Sequence, residues 1–320
     1  MTSKEKVSSL AVEMLRALPP FYQKALRQAI QESKAPDLWF FLGLARGSHP
    51  TPLSSARVHA IFPYNAREAF TGRLDKLAGL ELLARVGEDA YVLTDLGREA
   101  IEGIFGAVQQ VLGTVEPLPA GEMEQLDSLL YRIVEATLQA PEPQEKWALA
   151  YSRWSDPGAE GAGAVKTDQY LTDLARFRDD AHIAAWKPYG VSGQAWEALT
   201  FVWRDEASSA EELTAKLPYR DHTVEDYAQA LQDLASRRWV VEETGVYKLT
   251  EMGKQIREEA EEATDRYFFV GWSALNDDEL ARLHDLLFRA VENLHRTARS
   301  QAWGMAQDVS QAIYILTRST

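Results

Sequence analysis

Residues 209–253 read SAEELTAKLPYRDHTVEDYAQALQDLASRRWVVEETGVYKLTEMG, and this stretch decides the fold. A short amphipathic helix, with a capping-box pattern at residues 208–211, is followed by a turn at PYRDH and a second helix, TVEDYAQALQDLASRRW. Two short β-prone runs, WVVEE and VYKLT, flank Thr244-Gly245, which indicates a tight hairpin. The stretch therefore predicts a helix-turn-helix motif followed by a two-stranded wing.

The segments on either side of this stretch have helical periodicity. Residues 167–187, TDQYLTDLARFRDDAHIAAWK, place apolar side chains on roughly one face, and Gly190 follows as a helix breaker. We predict Ser192 as the N-cap of the next helix, Thr250 as the cap after the wing, and Asn276 as the N-cap of the long last helix. The predicted fold class is mainly α with short β-hairpin wings.

The chain also repeats itself at a spacing of about 157 residues. Trp39 matches Trp196, the pair Thr94 and Gly97 matches Thr250 and Gly253, and residues 118–136 overlay residues 275–293. Between the halves, SDPGAEGAGAV at 155–165 has the Gly-rich and Ala-rich composition of a flexible connector. We therefore predict a first unit at residues 1–155, a linker at 156–165 and a duplicate unit at 166–320.

Each half resembles a protomer of the multiple-antibiotic-resistance regulator (MarR) family. The resemblance rests on the long first helix, the helical pair SSAEELTAKL and TVEDYAQALQDLASRRW, the Leu-Thr-x-x-Gly signature in VYKLTEMGK, and the closing helix LNDDELARLHDLLFRAVENL. It implies winged-helix units that pair through their terminal helices into a triangular, DNA-binding dimer. For two fused copies it implies an intrachain pseudo-dimer, a monomer with internal pseudo-two-fold symmetry.

Composition and motifs exclude several classes of protein. The 320 residues carry a net charge of −14 and include no cysteine, which excludes disulfides, thiolate metal sites and cysteine nucleophiles. The sequence has no apolar run of about 18 residues and no recognisable signal peptide, so we expect no membrane association and a cytoplasmic location. HExxH, GxSxG and phosphate-loop motifs are missing, so we expect no enzyme, no cofactor and no metal site.

The acidic balance repels phosphate in general, so DNA binding has to be judged on the recognition helices. Residues 65–79 of the first half have a small basic excess, whereas residues 220–238 of the second have a small acidic excess, and both wing turns carry acids. The candidate contacts to double-stranded DNA are Arg57, Arg67, Arg73, Lys76, Arg220, His222 and Thr223. We expect the first half to contribute more than the second. A solvated helix face is the alternative interpretation of Arg67 and Arg73.

Aromatic side chains are concentrated in the second half. In the resembled family, small aromatic or phenolic ligands sit between the dimerisation helices and the winged helix. The resemblance therefore gives a candidate ligand-binding set of His182, Trp186, Trp196, Arg266, Tyr267 and Trp272. An aromatic wall with a few polar groups suits such a ligand. The alternative interpretation is that the aromatic residues are core residues at helical spacing.

These patterns favour a transcriptional regulator with two fused winged helices that senses a small hydrophobic ligand. A filled pocket would change the spacing of the two recognition helices, which must be about 34–36 Å apart to read two half-sites. The alternative is a degenerate winged-helix protein that no longer binds DNA and acts as a ligand-binding or protein-interaction module. The net charge, the acidic wings and the acidic second recognition helix favour this alternative.

Overall fold

The computed structural model describes residues 2–158 and 161–302, and it is mainly helical with two small antiparallel hairpins. This confirms the predicted fold class. The first half contains α1 Ser3–Ala17, α2 Pro19–Glu32, α3 Trp39–Ser48, α4 Ser55–Ile61, α5 Arg67–Gly79, β1 Leu83–Gly87, β2 Ala90–Leu93, α6 Asp95–Leu112, α7 Ala120–Gln139 and α8 Trp147–Ser152. The second half contains α9 Val165–Trp186, α10 Gly193–Trp203, α11 Ala210–Lys216, α12 Val224–Ser236, β3 Val240–Glu243, β4 Val246–Leu249, α13 Glu251–Phe268 and α14 Asp277–Ala302.

The predicted caps at Ser192, Thr250 and Asn276 are confirmed, whereas the capping box predicted at residues 208–211 was wrong by one residue, because Ser209 caps α11 and accepts a hydrogen bond from the Glu212 N–H. The side chains of Ser192, Thr250 and Asn276 accept hydrogen bonds from backbone N–H groups three residues on, at 2.9–3.2 Å. Strands β3 and β4 pair around a two-residue turn in which Thr244 and Gly245 both have positive φ, as a type I′ hairpin requires. One prediction was incomplete, because the counterpart of the continuous α9 is divided into α1 and α2 where Pro19 and Pro20 interrupt the helix.

The Leu-Thr-x-x-Gly signature closes each wing onto the strand before it. Thr94 accepts a hydrogen bond from the Gly97 N–H at 3.0 Å and contacts the Leu82 carbonyl, and Thr250 does the same with Gly253 and Trp239. A Cβ atom on either glycine would lie 2.1 Å from that same carbonyl oxygen. Only glycine therefore fits where the helix after the wing passes the first strand.

The chain divides into two compact units, each assembled from separate segments. Unit 1 takes in the described residues of Met1–Trp39, Arg98–Asp180 and Phe268–Thr320, and unit 2 consists of Phe40–Gly97 and Ala181–Tyr267. Each unit therefore combines segments from both predicted repeats. In the predicted linker, residues 159 and 160 lie outside the described residues, while the Ala164 N–H donates to the Leu112 carbonyl.

Unit 1 is built from the flanking helices, with α1 and α7 packed against α14. Two ion pairs join α7 to the region of α14, Arg132 with Glu279 and Arg289 with Glu122. Glu122 and Glu279 are 157 residues apart, as are Arg132 and Arg289, so the two pairs are reciprocal. Between them, the Arg282 Nε donates to the Gln125 Oε1 at 2.9 Å, and these residues are also 157 apart.

Unit 2 holds the two helix-turn-helix motifs and their wings. The first motif is formed by α3, α4, α5 and the β1–β2 wing, and the second by α10, α11, α12 and the β3–β4 wing. The second motif packs around a core that contains Trp196, Tyr227, Leu231 and Leu234, all fully buried. Leu53, which precedes α4, pairs with Tyr91 of the first wing and so fixes that wing against its motif.

Candidate nucleic-acid interface

Helix α5 presents two predicted DNA-contacting cations to solvent. Arg67 is the first residue of the helix, and its side chain is 53% exposed, with its guanidinium 3.8 Å from the Asp89 carboxylate. Lys76 is exposed in the last turn. Arg57 lies on α4 and is half-buried. An arginine at the start of a recognition helix can reach a base edge, and a lysine further along can reach phosphate.

Asp89 explains why the first wing turn is acidic. Its carboxylate accepts hydrogen bonds from the Ser55 N–H at 2.9 Å and the Ser55 hydroxyl at 2.7 Å, at the start of α4. Burial raises the pKa of Asp89, but the hydrogen bonds from Ser55 and the nearby Arg67 outweigh it and hold the pKa below its usual value. Asp89 therefore ties the wing to the motif as a helix-terminal acceptor.

Arg73 is engaged within the protein. Its Nη2 lies 2.7 Å from the Asp221 carboxylate of the second motif, and its guanidinium packs over the rings of Phe41 and Phe70. The side chain is 30% exposed. A phosphate would therefore have to compete with Asp221 for this arginine.

The second motif uses its predicted DNA-contacting residues for structure. Arg220 is buried and forms a forked ion pair with Glu197, with Nη2 and Nε at 2.7 and 3.0 Å from Oε1. His222 contacts the Tyr64 carbonyl through Nε2 at 3.0 Å. Thr223 is the N-cap of α12. In this arrangement these three side chains hold the turn before α12 and are occupied by protein groups.

The turns that precede the two recognition helices contact each other. The Arg220 Nη1 donates to the Asn65 Oδ1 at 3.0 Å, and the Asn65 Nδ2 donates to the Tyr219 carbonyl at 2.9 Å. The Ala66 N–H donates to the Arg220 carbonyl, also at 2.9 Å. Burial raises the pKa of Glu197, and the Arg220 charge opposes that rise. Sequence reasoning missed Asn65 and Glu197, although both turns read Pro-Tyr at Pro63 and Pro218.

Part of the predicted ligand-binding set comes together in the core of unit 2. The rings of Trp186 and Trp196 stack with centroids 5.9 Å apart, and the His182 ring lies 6.5 Å from that of Trp196. The Trp186 Nε1 donates to the Tyr64 hydroxyl at 2.9 Å. Trp186 and Trp196 are almost fully buried, so the structure gives them a core role. A ligand role stays a prediction.

The other predicted ligand residues lie elsewhere. Arg266 is exposed near the end of α13, with its guanidinium over the ring of Tyr267. Trp272 belongs to unit 1, where its ring contacts those of Phe268 and Phe269. Five of the six residues therefore belong to unit 2 and Trp272 belongs to unit 1.

Sequence reasoning also missed a buried arginine beside the aromatic cluster. Arg257 is 1% exposed, and its guanidinium lies between the rings of Trp196 and Trp203, at 4.6 and 5.0 Å from their centroids. Its Nη2 pairs with Glu261, whereas Nε and Nη1 are buried without a hydrogen-bond partner. The i, i+4 spacing of Arg257 and Glu261 gave no signal that the arginine is buried.

Within the described residues, no group of three or more His, Asp or Glu side chains is placed to hold a metal ion. None of the described helices combines the length and apolar character of a membrane span.

The search of curated proteins and the search of solved structures each gave no match. The sequence model of a helix-turn-helix family matches residues 98–301, and the chain belongs to this family.

Proposed function

We propose that this chain is a cytoplasmic, DNA-binding transcriptional regulator with two MarR-like winged helices, and that the first motif carries the DNA contact. The observation that supports this is the difference between the two recognition helices. Arg67 and Lys76 of α5 are exposed, whereas Arg220 before α12 is buried against Glu197. The first turn of α12 instead contains Glu225 and Asp226, whose charges repel phosphate.

The two halves, in this proposal, are a tandem duplication that forms an intrachain pseudo-dimer. The reciprocal ion pairs of unit 1 support it, because an isologous interface places residue i against j and residue j against i. Glu122, Arg132 and their counterparts 157 residues later meet this condition, and Gln125 contacts its own counterpart, Arg282. A self-contact of this kind is expected close to a two-fold axis.

The test of DNA binding is fluorescence anisotropy with duplex fragments from the region upstream of the protein's own gene. The double charge reversal R67E/K76E is expected to weaken binding by at least about tenfold, because two contacts to DNA become repulsive. The control is the single charge reversal K254E on α13, outside the helix-turn-helix motif, and we expect it to change affinity by less than about twofold. Equal effects of R67E/K76E and K254E would refute the assignment to α5.

The second candidate function is a ligand-binding module that has lost DNA binding. Arg257 supports it, because a buried guanidinium whose Nε and Nη1 have no hydrogen-bond partner, between two tryptophan rings, can donate to an anion. A small aromatic ligand bound there would also be the modulator in the regulator proposal.

Benzoate and benzyl alcohol are a matched pair of probes for this second candidate. If Arg257 binds an anion, benzoate should change the tryptophan fluorescence saturably and benzyl alcohol should not. The R257K variant keeps the charge but replaces Nε and Nη1 with a single nitrogen, so it should weaken the benzoate response. Identical titrations of wild type and R257K would count against a ligand site at Arg257.

A further inference from the structure

The contact between the two helix-turn-helix motifs limits how far apart their recognition helices can be. The Ala66 N–H is 2.9 Å from the Arg220 carbonyl oxygen, α5 begins one residue after Ala66, and α12 begins at Val224. The path from the first Cα atom of α5 to that of α12 runs through this hydrogen bond and through five Cα-to-Cα steps of about 3.8 Å each. The two Cα atoms are therefore at most about 26 Å apart. Two half-sites on one face of a duplex need recognition helices about 34–36 Å apart. The starts of α5 and α12, which are the ends that face the bases in a helix-turn-helix motif, therefore do not have that spacing.

The contact is held by buried groups. Arg220 and Glu197 are each 9% exposed, and Asn65 adds hydrogen bonds to both Arg220 and Tyr219. Increasing the spacing would pull Arg220 away from either Glu197 or Asn65 and leave a buried charge or a polar group without its partner.

The turn before α5 also packs closely against the start of α10. A Cβ atom on Gly193, the first residue of α10, would lie 2.0 Å from the Pro63 carbonyl oxygen. The start of α10 therefore touches the backbone that leads into α5. The two motifs meet through backbone as well as through side chains, which resists a sliding or hinging motion between them.

We propose that the two motifs act as one rigid reader, which binds a single uninterrupted duplex site through α5 and needs no second half-site. The partner is a short, non-palindromic duplex whose recognised bases lie within one turn of DNA. This inference rests on the proposed DNA-binding function. The charges support it, since Arg67 and Lys76 are exposed on one motif while the acids Glu225 and Asp226 begin the recognition helix of the other.

The first experiment selects duplexes from a pool with 25 randomised base pairs, using the full chain. We expect the recovered motif to be a single block of about 10 base pairs or fewer. Insertion of five base pairs beside this block should change the dissociation constant by less than about twofold, because no second half-site is displaced. Recovery of two inverted half-sites centred about 10 base pairs apart, with binding lost on the same insertion, would overturn the proposal.

The second experiment measures the spacing in the protein itself. Because the chain has no cysteine, the variant E68C/E225C carries spin labels only at the starts of α5 and α12, where both side chains are exposed. We expect one short distance by double electron–electron resonance, unchanged when the selected duplex is added. An increase of about 10 Å or more on DNA binding would overturn the rigid reader.

The two experiments separate the two levels of the argument. If no duplex is enriched and none binds, the proposed DNA-binding function fails, and the proposed binding to a single duplex site fails with it. The distance in the free protein then still decides whether the motifs are rigidly paired. If a duplex is enriched as inverted half-sites, DNA binding stands and the single-site reading fails.

Discussion

Replacing Arg220 with methionine is the most informative single perturbation of unit 2. R220M keeps much of the side-chain volume but removes the guanidinium from Glu197 and from the Asn65 Oδ1. The Glu197 carboxylate, 9% exposed, then loses three hydrogen bonds at 2.7–3.1 Å. Removal of one partner of a buried ion pair costs about 3–5 kcal/mol, because the remaining charge stays desolvated. We expect a loss of that size in the free energy of unfolding at pH 7.

The pH dependence of the loss follows from the pKa of Glu197. Burial raises this pKa, and R220M removes the charge that opposes the rise. A carboxyl group with a raised folded-state pKa favours folding below its unfolded pKa and loses that advantage as the pH rises. The deficit of R220M relative to wild type should therefore shrink when the pH is lowered from 7 to 5.

Urea unfolding at pH 7 and pH 5 measures both effects. The control is E197Q, which leaves a guanidinium that cannot discharge and removes the titrating carboxyl group. Because the raised pKa of Glu197 makes wild type itself lose stability as the pH rises, the deficit of E197Q should not shrink when the pH is lowered from 7 to 5. The double variant R220M/E197M replaces the pair with apolar groups and should recover most of the loss. A loss below about 1 kcal/mol for R220M, or a deficit that does not shrink at pH 5, would refute a buried and mutually dependent pair.

Three further substitutions test other contacts. D221N removes the carboxylate that pairs with Arg73 and so frees this arginine to contact phosphate. Duplex affinity measured by anisotropy should rise by up to about fivefold, which corresponds to the free energy of a partly exposed ion pair. Weaker binding by D221N would contradict this. G97A places a Cβ 2.1 Å from the Leu82 carbonyl oxygen and should lower the free energy of unfolding by about 2–3 kcal/mol. The control is G103A, where a Cβ would have no neighbour within 4 Å, and it should not lower the free energy of unfolding. Equal urea midpoints for the two variants would refute the close approach at Gly97. Burial raises the pKa of Asp168 to about 7, so this carboxyl group destabilises the fold as the pH rises from about 4 to 7. In urea unfolding, D168N should be about 2–4 kcal/mol more stable than wild type at pH 8 and no more stable at pH 4. A gain that is the same at both pH values would contradict this.

The sequence predicted the parts of the fold that depend on neighbouring residues. Capping by Ser192 and Asn276 needs only an acceptor and an N–H three residues away, and the Thr244-Gly245 turn needs only two residues that tolerate positive φ. These signals lie within a few positions of each other, so a linear pattern contains them. The break at Pro19-Pro20 was also available in the sequence, because proline cannot donate the hydrogen bond that a continuous helix needs.

The roles of the second motif were not predictable in the same way. Arg220 and His222 precede a recognition helix, a position where basic side chains ordinarily face DNA. Whether they do so depends on Glu197, Asn65 and Tyr64, which are between 23 and 158 positions away along the chain. Charge and position in the motif do not encode those contacts. The division into units that each combine both halves depends on the same long-range packing.

The packing of α1 against α14 has a consequence for how the protein is made. The buried face of α1 is formed by Val7, Ala11, Met14 and Ala17. About 260 further residues must be synthesised before α14 begins, which takes a ribosome roughly 13–50 s. Unit 2 also cannot form until both of its segments have been synthesised, since the first ends at Gly97 and the second runs from Ala181 to Tyr267. Neither unit can be completed before the segments that follow residue 180 have been made, so the apolar face of α1 stays without its partner helix until α14 has been synthesised.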